Sequence, residues 1–382
     1  MNRIADMSPF LVMDILEKAK SLEAKGKNVV HLEVGEPDFP TPACIVNRAI
    51  RAMETGKTKY THSLGIPELR QAISSYYVDK YGVEINPERI LITSGSSPGM
   101  LLILSCLLES DGEVILSNPH YACYPNFIRF LGGKPIFFPV YEEERYEYHP
   151  ERIKSLLTRH TKAVLINSPA NPTGACIDTH TMKEIADLGC CIVSDEIYHE
   201  LRYQGKDHTI LEFTENAFVL NGFSKRYSMT GWRLGWVVAP QKYVRRLQKM
   251  HQNFFICANN FVQHAGVAAI REAEGHVKEM VAIYDERRRF LIDALLKIGF
   301  HLSYTPTGAY YIIVNARDID TDSYRLSLDI LEKAYVALTP GIDFGTRAEG
   351  YLRFSYANSL QNIKEGLARL ATYLGQRNKL VS

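Results

Sequence analysis

Three short apolar runs follow one another in the middle of the chain, and polar residues come directly after each of them. The runs are residues 163–166, 191–194 and 217–220. A continuous apolar run of this length is typical of a strand buried on both faces, as in a parallel sheet covered by helices. Residues 178–188 carry apolar side chains at helical spacing, which predicts a helix connecting the first two strands. The succession predicts a βαβ unit and an α/β fold.

The polar residues after these runs indicate where a ligand binds. Ligands of parallel sheets bind beyond the carboxyl ends of the strands, and Asn171, Asp195, Tyr198 and Lys225 all follow such ends. Lys225 is typical of a Schiff-base lysine, because a desolvated amine loses its proton readily and can act as nucleophile and general base. By position alone a solvated surface lysine is the more common case, since functional lysines need burial and charged neighbours.

Motifs around these positions resemble those of one enzyme family. The motifs are Asn-Pro-Thr-Gly at 171–174, Ser-Asp-Glu-Ile-Tyr at 194–198, Ser-Lys at 224–225 and Met-Thr-Gly-Trp-Arg at 229–233. As a set they resemble the class I/II aminotransferases, the pyridoxal-phosphate enzymes of the aspartate aminotransferase type. The similarity extends from residues 35–42 to residues 351–357. It implies the pyridoxal-phosphate-dependent transferase fold type I, a mostly parallel central sheet flanked by helices with a smaller α+β domain.

The resemblance assigns the strand-end residues to pyridoxal 5'-phosphate. It implies that Lys225 binds the cofactor aldehyde and moves a proton to and from the substrate α-carbon. Asp195 is expected to keep the pyridine nitrogen protonated, although an aspartate at this turn can also cap the following segment. Asn171 and Tyr198 are expected to hydrogen bond the ring hydroxyl, although Asn171 before a proline is equally typical of a turn. Lys225, Asp195 and Tyr198 are the predicted catalytic residues.

The cofactor phosphate needs hydrogen-bond donors and positive charge. A predicted strand at 90–92 leads into a small-residue turn and a helix, so that Gly95, Ser96 and Ser97 can meet an anion at the positive helix end. Arg233 supplies a planar guanidinium that suits phosphate, and Ser224 adds a hydroxyl. In the aspartate branch of the family a serine often stands three residues before the lysine, whereas this chain has Gly222.

Four further residues are assigned by the resemblance. Tyr121 is expected to stack on the pyridine ring, although one tyrosine among 22 is more often a core residue. Tyr60 matches a tyrosine that reaches the phosphate of the neighbouring subunit, which implies a homodimer with shared active sites. Arg353 matches the arginine that binds the substrate α-carboxylate, with Asn171 and Gly35 beside it. An arginine on a half-exposed strand could equally form a surface ion pair.

Composition narrows the class of ligand and the compartment. A net charge of +1 without a basic tail argues against nucleic acid as a partner. Seven scattered cysteines without a C-x-x-C spacing predict reduced thiols and a cytoplasmic location. The twelve histidines lack a metal-ligand spacing, so no metal is expected. No window approaches the roughly 18 apolar residues that a membrane span needs.

A chain of 382 residues predicts two domains. Alternating strands and helices assign residues 45–285 to a large cofactor-binding domain, whereas residues 1–44 and 286–382 form the small one. Residues 240–271 predict a helix with little interruption. Residues 284–296 predict the start of another helix, with a solvated face.

The predicted reaction moves an amino group from an α-amino acid to a 2-oxo acid in a ping-pong cycle. Some bacterial aspartate aminotransferases have a lysine where this chain has Ser97, so a neutral or aromatic donor is favoured, with a 2-oxoglutarate-type acceptor. Carbon–sulfur β-lyases and aminocyclopropane-carboxylate synthases share the cofactor and fold type and remain open alternatives. A non-enzymatic regulator built on such a domain would need a DNA-binding module, and no basic helix-turn-helix segment is found.

Overall fold

The computed structural model describes residue 4, residues 7–109 and residues 111–381. Residues 1–3, 5, 6 and 382, at the ends of the predicted small domain, lie outside this range. The helices are α1 (Leu11–Ala24), α2 (Ala43–Glu54), α3 (Pro67–Tyr81), α4 (Ser96–Leu107), α5 (Tyr124–Phe130), α6 (Pro150–Ser155), α7 (Thr179–Asp187), α8 (Gln241–Phe254), α9 (Asn260–Glu272), α10 (Glu274–Lys297), α11 (Ser323–Ala334) and α12 (Leu360–Val381). Among the described residues, no helix combines the length and the apolar character that crossing a bilayer requires.

The strands form one large sheet and two small ones. The strands are β1 (Val30–His31), β2 (Ile90–Thr93), β3 (Glu113–Asn118), β4 (Lys134–Pro139), β5 (Thr161–Asn167), β6 (Ile192–Asp195), β7 (Ala217–Gly222), β8 (Gly235–Val238), β9 (Tyr311–Asn315), β10 (Val336–Ala337), β11 (Thr339–Pro340) and β12 (Tyr351–Ser355). The large sheet has the order β2-β8-β7-β6-β5-β3-β4, in which β8 alone runs antiparallel to its neighbours. The predicted fold class, α/β with a mostly parallel sheet, is confirmed.

The apolar runs are continuous because both faces of the large sheet are covered. Along β5, Val164 and Ile166 pack in one cluster of buried side chains, whereas Ala163 and Leu165 pack in a second cluster on the opposite face. Successive side chains of a strand point to opposite faces, so every position of such a strand must be apolar. The carboxyl ends of the central strands are level, since Asn167 lies beside Asp195 in the sheet register.

The N-terminal and C-terminal segments pack together into a second structural region. β1 pairs in parallel with β10, and β12 lies between β11 and β9 in a three-stranded antiparallel sheet. α10 joins this region to the large sheet, because Val277 packs in a cluster under the sheet whereas Leu291 and Leu295 pack with the small sheets. The predicted boundary at residues 285 and 286 therefore falls inside a continuous helix. The division into two domains stays a prediction.

Two helix predictions are wrong. Residues 240–271 form α8 and α9 with a break at 255–259, where Ile256 adopts a left-handed backbone conformation with φ of 66°. The break contains neither glycine nor proline, the usual signals of a helix end. α10 begins ten residues before position 284, so this segment is not the start of a helix. The predicted solvated face is present at Glu286, Arg289 and Asp293, whereas Arg287 and Arg288 are buried. The two arginines are paired, with Asp38 and Asp285 respectively.

Candidate active site

A cavity of about 240 Å³ opens beside the carboxyl ends of β5, β6 and β7. Nine of the predicted site residues line it: Gly35, Ser96, Ser97, Tyr121, Asn171, Asp195, Tyr198, Lys225 and Arg353. Gly95, Ser224, Arg233 and Tyr60 do not line it. The large sheet and the small sheets both contribute, since Arg353 lies on β12 and Asp195 ends β6.

Lys225 lies in the turn that follows β7, and its amine faces the loop after β1. Its Nζ donates a hydrogen bond of 2.5 Å to the carbonyl oxygen of Gly35. Burial lowers the pKa of Lys225 to about 8, and the positive charges of Arg353 and Arg233 act in the same direction. A substantial fraction of the amine is therefore neutral near pH 8, which is the form that attacks an aldehyde.

Asp195 is a buried carboxylate held by two hydrogen bonds. Tyr124 donates its hydroxyl proton to Oδ2 over 2.7 Å, and the Ile197 amide donates to Oδ1 over 3.2 Å. Burial raises the pKa of Asp195 to about 6, and these two hydrogen bonds oppose the rise. The Ile197 bond closes a turn after β6 rather than capping a helix. Asp195 is thus positioned as an anion that a buried cationic partner would stabilise.

Asn171 is fixed between the sheet end and Arg353. Its amide donates to Oδ1 of Asn167 over 2.9 Å, and Asn167 in turn donates from Nδ2 to the Asp195 carbonyl over 2.9 Å. The Asn171 side-chain oxygen accepts a hydrogen bond of 2.9 Å from Nη1 of Arg353. The residue thus connects the strand ends to the small-sheet arginine.

Arg353 is buried and aimed into the cavity, so the alternative of a surface ion pair is wrong. Its Nη2 donates to the Glu33 carbonyl and, over 3.0 Å, to the Thr339 hydroxyl. Its Nε makes no hydrogen bond within the described part of the chain. Buried cationic donors are ordinarily paired, so this guanidinium is suited to an anionic ligand.

The start of α4 and Arg233 form a second anion-binding element. Gly95 has φ of 100°, and a Cβ there would lie 2.5 Å from a guanidinium nitrogen of Arg233, so only glycine fits this approach. Ser96 and Ser97 begin α4, whose free amides carry partial positive charge. Ser224, directly before Lys225 in the sequence, is also buried. This donor set is suited to a phosphate group.

Tyr60 and Gly35 differ in their position relative to the cavity. Tyr60 is exposed over 80% of its surface and does not line the cavity of its own chain, so its predicted role in the neighbouring subunit stays a prediction. Gly35 does line the cavity, and a Cβ there would overlap the hydroxyl of Tyr311 at 1.8 Å. The structure therefore requires glycine at position 35 to make room for Tyr311, a reason that the sequence did not reveal.

Sequence reasoning also missed several lining residues. They are Phe10, Val12, Met13, Leu16, Val34, Tyr124, Asn167, Ile197 and Tyr311. Asn167 was open to detection, because it ends an apolar run as Asp195 does. The apolar members carry no chemical signal, and the two tyrosines cannot be distinguished by sequence from the other tyrosines of the chain.

The residues present fit pyridoxal phosphate. The cavity combines an amine of lowered pKa, a buried carboxylate, the hydroxyl of Tyr198 and the amide of Asn171 at the sheet end, and the anion-binding start of α4 lies beside them. An aldehyde, a pyridine nitrogen, a ring hydroxyl and a phosphate call for these groups. No group of three or more His, Cys, Asp or Glu side chains in the described residues is arranged to hold a metal ion.

Comparison with known proteins gives matches over nearly the whole chain. A family model described as aminotransferase class I and II matches residues 27–370. A (5-formylfuran-3-yl)methyl phosphate transaminase from Methanocaldococcus jannaschii is 43% identical, over 98% of this chain and 99% of the relative. An aspartate aminotransferase from Pyrococcus horikoshii is 37% identical, over 94% of this chain and 93% of the relative.

Solved structures match equally well. A Methanococcus jannaschii protein, whose active site is described as similar to that of kynurenine aminotransferases, has a TM-score of 0.91 at 42% identity and covers 98% of this chain and 99% of its own. The aspartate aminotransferase of Thermus thermophilus with maleate has a TM-score of 0.93 at 32% identity, with 97% and 98% covered.

Proposed function

The chain belongs to the class I and II aminotransferases, which use pyridoxal phosphate, and from this premise we propose that its amino donor is a neutral or aromatic α-amino acid. The observation that carries the proposal is the wall of the cavity formed by α1 and the residue before it. Phe10, Val12, Met13 and Leu16 line that wall, and Phe10 contacts Tyr121 edge-on with 6.2 Å between the ring centroids. An apolar side chain of the donor would remove this surface from water.

The charged side chains that line the cavity also favour a neutral or aromatic donor. The cationic side chains that line the cavity in the described residues are Lys225 and Arg353, and the transamination itself requires both. The short side-chain carboxylate of aspartate would be desolvated against the α1 wall without a cation, which is unfavourable. The longer chain of a 2-oxoglutarate-type acceptor lets its distal carboxylate reach the open mouth of the cavity, where water solvates it. We therefore keep 2-oxoglutarate as the acceptor class.

The roles of the cofactor-side residues are part of the proposal. When bound, pyridoxal phosphate withdraws electrons from the substrate α-carbon and makes its proton acidic. Lys225 accepts that proton and returns it, a role that the position of this residue in the cavity lining supports. Asp195 faces the ring nitrogen as an anion, whereas Tyr198 and Asn171 bind the ring hydroxyl. Tyr121 stacks on the ring.

The remaining residues are assigned to the substrate α-carboxylate and to the cofactor phosphate. Arg353 binds the substrate α-carboxylate, with Asn171 and Gly35 beside it, because its guanidinium is buried and has an unused donor. The phosphate is assigned to the start of α4 and the residues next to it. These residues are Gly95, Ser96, Ser97, Ser224 and Arg233.

We further propose a cytoplasmic homodimer in which Tyr60 completes the partner's phosphate site. Tyr60, Phe254 and Ile256 are all exposed, and their two loops are joined by a hydrogen bond of 3.4 Å that the Thr61 amide donates to Cys257 Sγ. An exposed apolar patch of this kind supports a subunit interface. All seven cysteines are unpaired, which supports a reducing compartment.

A panel of amino donors tests the substrate proposal. Holoenzyme is mixed with aromatic, aliphatic and acidic amino acids, and the change in visible absorbance and the 2-oxo acid product are measured. We expect kcat/KM for an aromatic or aliphatic donor to exceed that for aspartate at least about tenfold, as a mismatched buried charge costs this much or more. Aspartate as the best donor would overturn the proposal, whereas reaction with glutamate is expected because glutamate is the product formed from 2-oxoglutarate. Pyruvate and ammonia released without an acceptor would indicate β-elimination instead.

Two variants of the wall sharpen this test. Met13 is 45% exposed, so Met13→Arg can place a cation at the cavity mouth with little packing cost. We expect it to raise kcat/KM for aspartate relative to that for aromatic donors. Met13→Gln, of similar length but neutral, is the matched control and should leave the ratio unchanged.

Subunit mixing tests the role of Tyr60. Lys225→Ala protein is mixed with a severely impaired Tyr60 variant, and activity is measured after verified subunit exchange. A heterodimer should contain one intact site if Tyr60 serves the partner. No recovery of activity would place Tyr60 in the site of its own subunit.

A further inference from the structure

Tyr311 contacts one group on each side of the active site. It begins β9, is almost fully buried and lines the cavity. Its hydroxyl lies 2.8 Å from the hydroxyl of Tyr198, in the turn after β6. The guanidinium of Arg353, on β12, lies over its ring at 4.3 Å from the centroid. One side chain thus connects the residue assigned to the cofactor ring with the residue assigned to the substrate carboxylate.

The ring of Tyr311 fixes the plane of the Arg353 guanidinium. Phe344 covers the same guanidinium at 4.8 Å, so that two aromatic rings contact one cation. The nitrogens Nη1 and Nη2 are held at the edge by Asn171, Thr339 and the Glu33 carbonyl. The negative face of a desolvated aromatic ring stabilises a cation placed over it. Tyr311 therefore helps to hold Arg353 in one orientation before a carboxylate arrives.

The hydroxyl of Tyr311 determines what the hydroxyl of Tyr198 can do. A phenol has one proton to donate. If Tyr311 donates to Tyr198, the proton of Tyr198 stays available for the ring oxygen of the cofactor. Arg353 favours this direction, because its charge lowers the pKa of Tyr311 against the rise that burial causes and makes Tyr311 the better donor. Burial raises the pKa of Tyr198 well above its usual value, so this phenol stays protonated.

The backbone at Gly35 helps to fix the position of the Tyr311 hydroxyl. A Cβ at position 35 would overlap this hydroxyl, so Gly35 is the residue that admits it. Its neighbour Tyr310 points to the same loop and donates to the Gly35 carbonyl over 2.9 Å, the oxygen that also accepts from Lys225. The loop after β1 and the start of β9 therefore hold Tyr311 in place.

We propose that Tyr311 is a positioning residue with two separable roles: its ring orients Arg353 toward the substrate carboxylate, and its hydroxyl directs the proton of Tyr198 toward the cofactor ring. The inference rests on the proposed roles of Arg353 and Tyr198. It is independent of which amino donor the enzyme prefers, because every donor and acceptor presents the same carboxylate.

Tyr311→Phe tests the hydroxyl, since it keeps the ring. The visible absorbance of the holoenzyme is titrated with pH, and KM is measured for one donor and one acceptor. With the hydrogen bond to Tyr198 lost, the deprotonated ring oxygen is less well stabilised, so we expect the midpoint of the absorbance change to rise by about half a pH unit or more. Both KM values should stay within about twofold of the wild-type values.

Tyr311→Leu tests the ring. It should raise KM about tenfold for donors and acceptors alike, the loss expected when a cation loses one aromatic face. Tyr311→Met serves the same purpose if the leucine variant does not fold. Tyr356→Phe is the control, because Tyr356 is buried directly after β12, donates to the Ala309 carbonyl and does not line the cavity. It should change neither the midpoint nor KM.

The outcomes decide between the roles. An unchanged midpoint in Tyr311→Phe overturns the role of the hydroxyl, and unchanged KM in the ringless variant overturns the role of the ring. Either result overturns the two-role proposal. A wild-type preference for aspartate would overturn the donor proposal and leave these expectations standing.

Discussion

The two sides of the active-site cavity are built differently. The cofactor side consists of polar side chains in short turns after β5, β6 and β7, all at one edge of a single sheet. The opposite wall consists of apolar side chains on α1, which is held in place by groups distant in sequence. The Leu11 and Val12 amides donate to the Asp343 carboxylate over 2.9 and 3.2 Å, and Ser8 exchanges two hydrogen bonds of 3.0 Å with Asn126.

This difference separates the chemistry from the choice of substrate. The reacting groups depend on strand ends that cannot move without disrupting the sheet. The wall is one face of a helix whose other face packs through the buried Ile15 and Ala19, so the exposed Met13 on the wall can change at little cost to the fold. We therefore expect substitutions on the cofactor side to reduce catalysis for every substrate, and substitutions on the wall to change the ranking of substrates.

Removal of Lys225 is the most severe test of the cofactor side. Lys225→Ala should reduce kcat on the order of 10⁵-fold, because it removes nucleophile and proton carrier together. The fold should survive, since little core volume is lost. Borohydride reduction of the holoenzyme followed by peptide mapping should label Lys225, and a label on another lysine would contradict the assignment.

Replacement of Asp195 tests the role of negative charge on the cofactor side of the cavity. Asp195→Ala should lower kcat roughly 10³-fold, more than it weakens cofactor binding, because the carboxylate acts mainly as negative charge develops on the substrate carbon. Turnover and cofactor affinity are measured separately. Tyr124→Phe, which removes one hydrogen bond to the carboxylate, is the milder companion variant. Wild-type turnover in Asp195→Ala would show that the carboxylate is not needed.

Arg353 lies where the two sides meet. Arg353→Ala should raise KM about 100-fold for amino donors and 2-oxo acceptors alike, because both present the same carboxylate to a buried cation. Competitive inhibition by simple carboxylates should weaken in parallel. Arg353→Lys keeps the charge without the planar pair of donors and should recover only part of the loss. A rise confined to donors or to acceptors would contradict a shared carboxylate site.

The smallest expected effect is the pH dependence of cofactor uptake by the apoenzyme. Burial lowers the pKa of Lys225 to about 8, and the neutral amine is the reactive form. The uptake rate should therefore rise about tenfold between pH 7 and pH 9 and flatten above pH 8. An unshifted lysine would give a rate that keeps rising through pH 9. As a control, the rate at which the cofactor aldehyde reacts with a free amine in solution is measured over the same pH range. This rate corrects for the titration of the cofactor itself.

The same shift has a consequence for apoenzyme stability. Because the folded-state pKa of Lys225 lies below the value of an unfolded lysine, the unfolded chain binds more protons above pH 8. The free energy of unfolding contributed by this group therefore rises between about pH 8 and about pH 10.5, the ordinary pKa of lysine, and is constant above that range. Lys225→Met should remove that rise in chemical denaturation, and an unchanged slope would contradict a buried amine.

The fold and the cofactor side were accessible from the sequence for a physical reason. A strand buried on both faces leaves a continuous apolar run, and the polar residue that ends it stands out, as at Asp195. Strand β8 was missed although residues 236–239 form a comparable apolar run, because Pro240 follows that run and no polar residue marks its end as a site. The break before α9 was missed because Ile256 takes a conformation normally left to glycine or asparagine.

The substrate side was less accessible. Arg353 could be assigned only through the resemblance, since its burial depends on Tyr311, Phe344 and Thr339, which lie elsewhere in the chain. The apolar residues of α1 follow ordinary helical spacing and do not reveal that one face lines a cavity. Packing partners distant in sequence decide these positions, and no local pattern records them.

Helix α10 also determines how the molecule comes apart. With 24 residues it is about 36 Å long. Its side chains pack in the hydrophobic cluster under the large sheet and in the hydrophobic cluster of the small sheets. Melting of either cluster therefore exposes apolar side chains of the same helix and removes support from the other cluster. We expect heat or denaturant to unfold the chain in one cooperative transition. Any movement of the two regions relative to each other must bend α10, because this helix runs without a break from one region to the other. Closing the cavity therefore requires bending of a helix rather than rotation about a flexible loop.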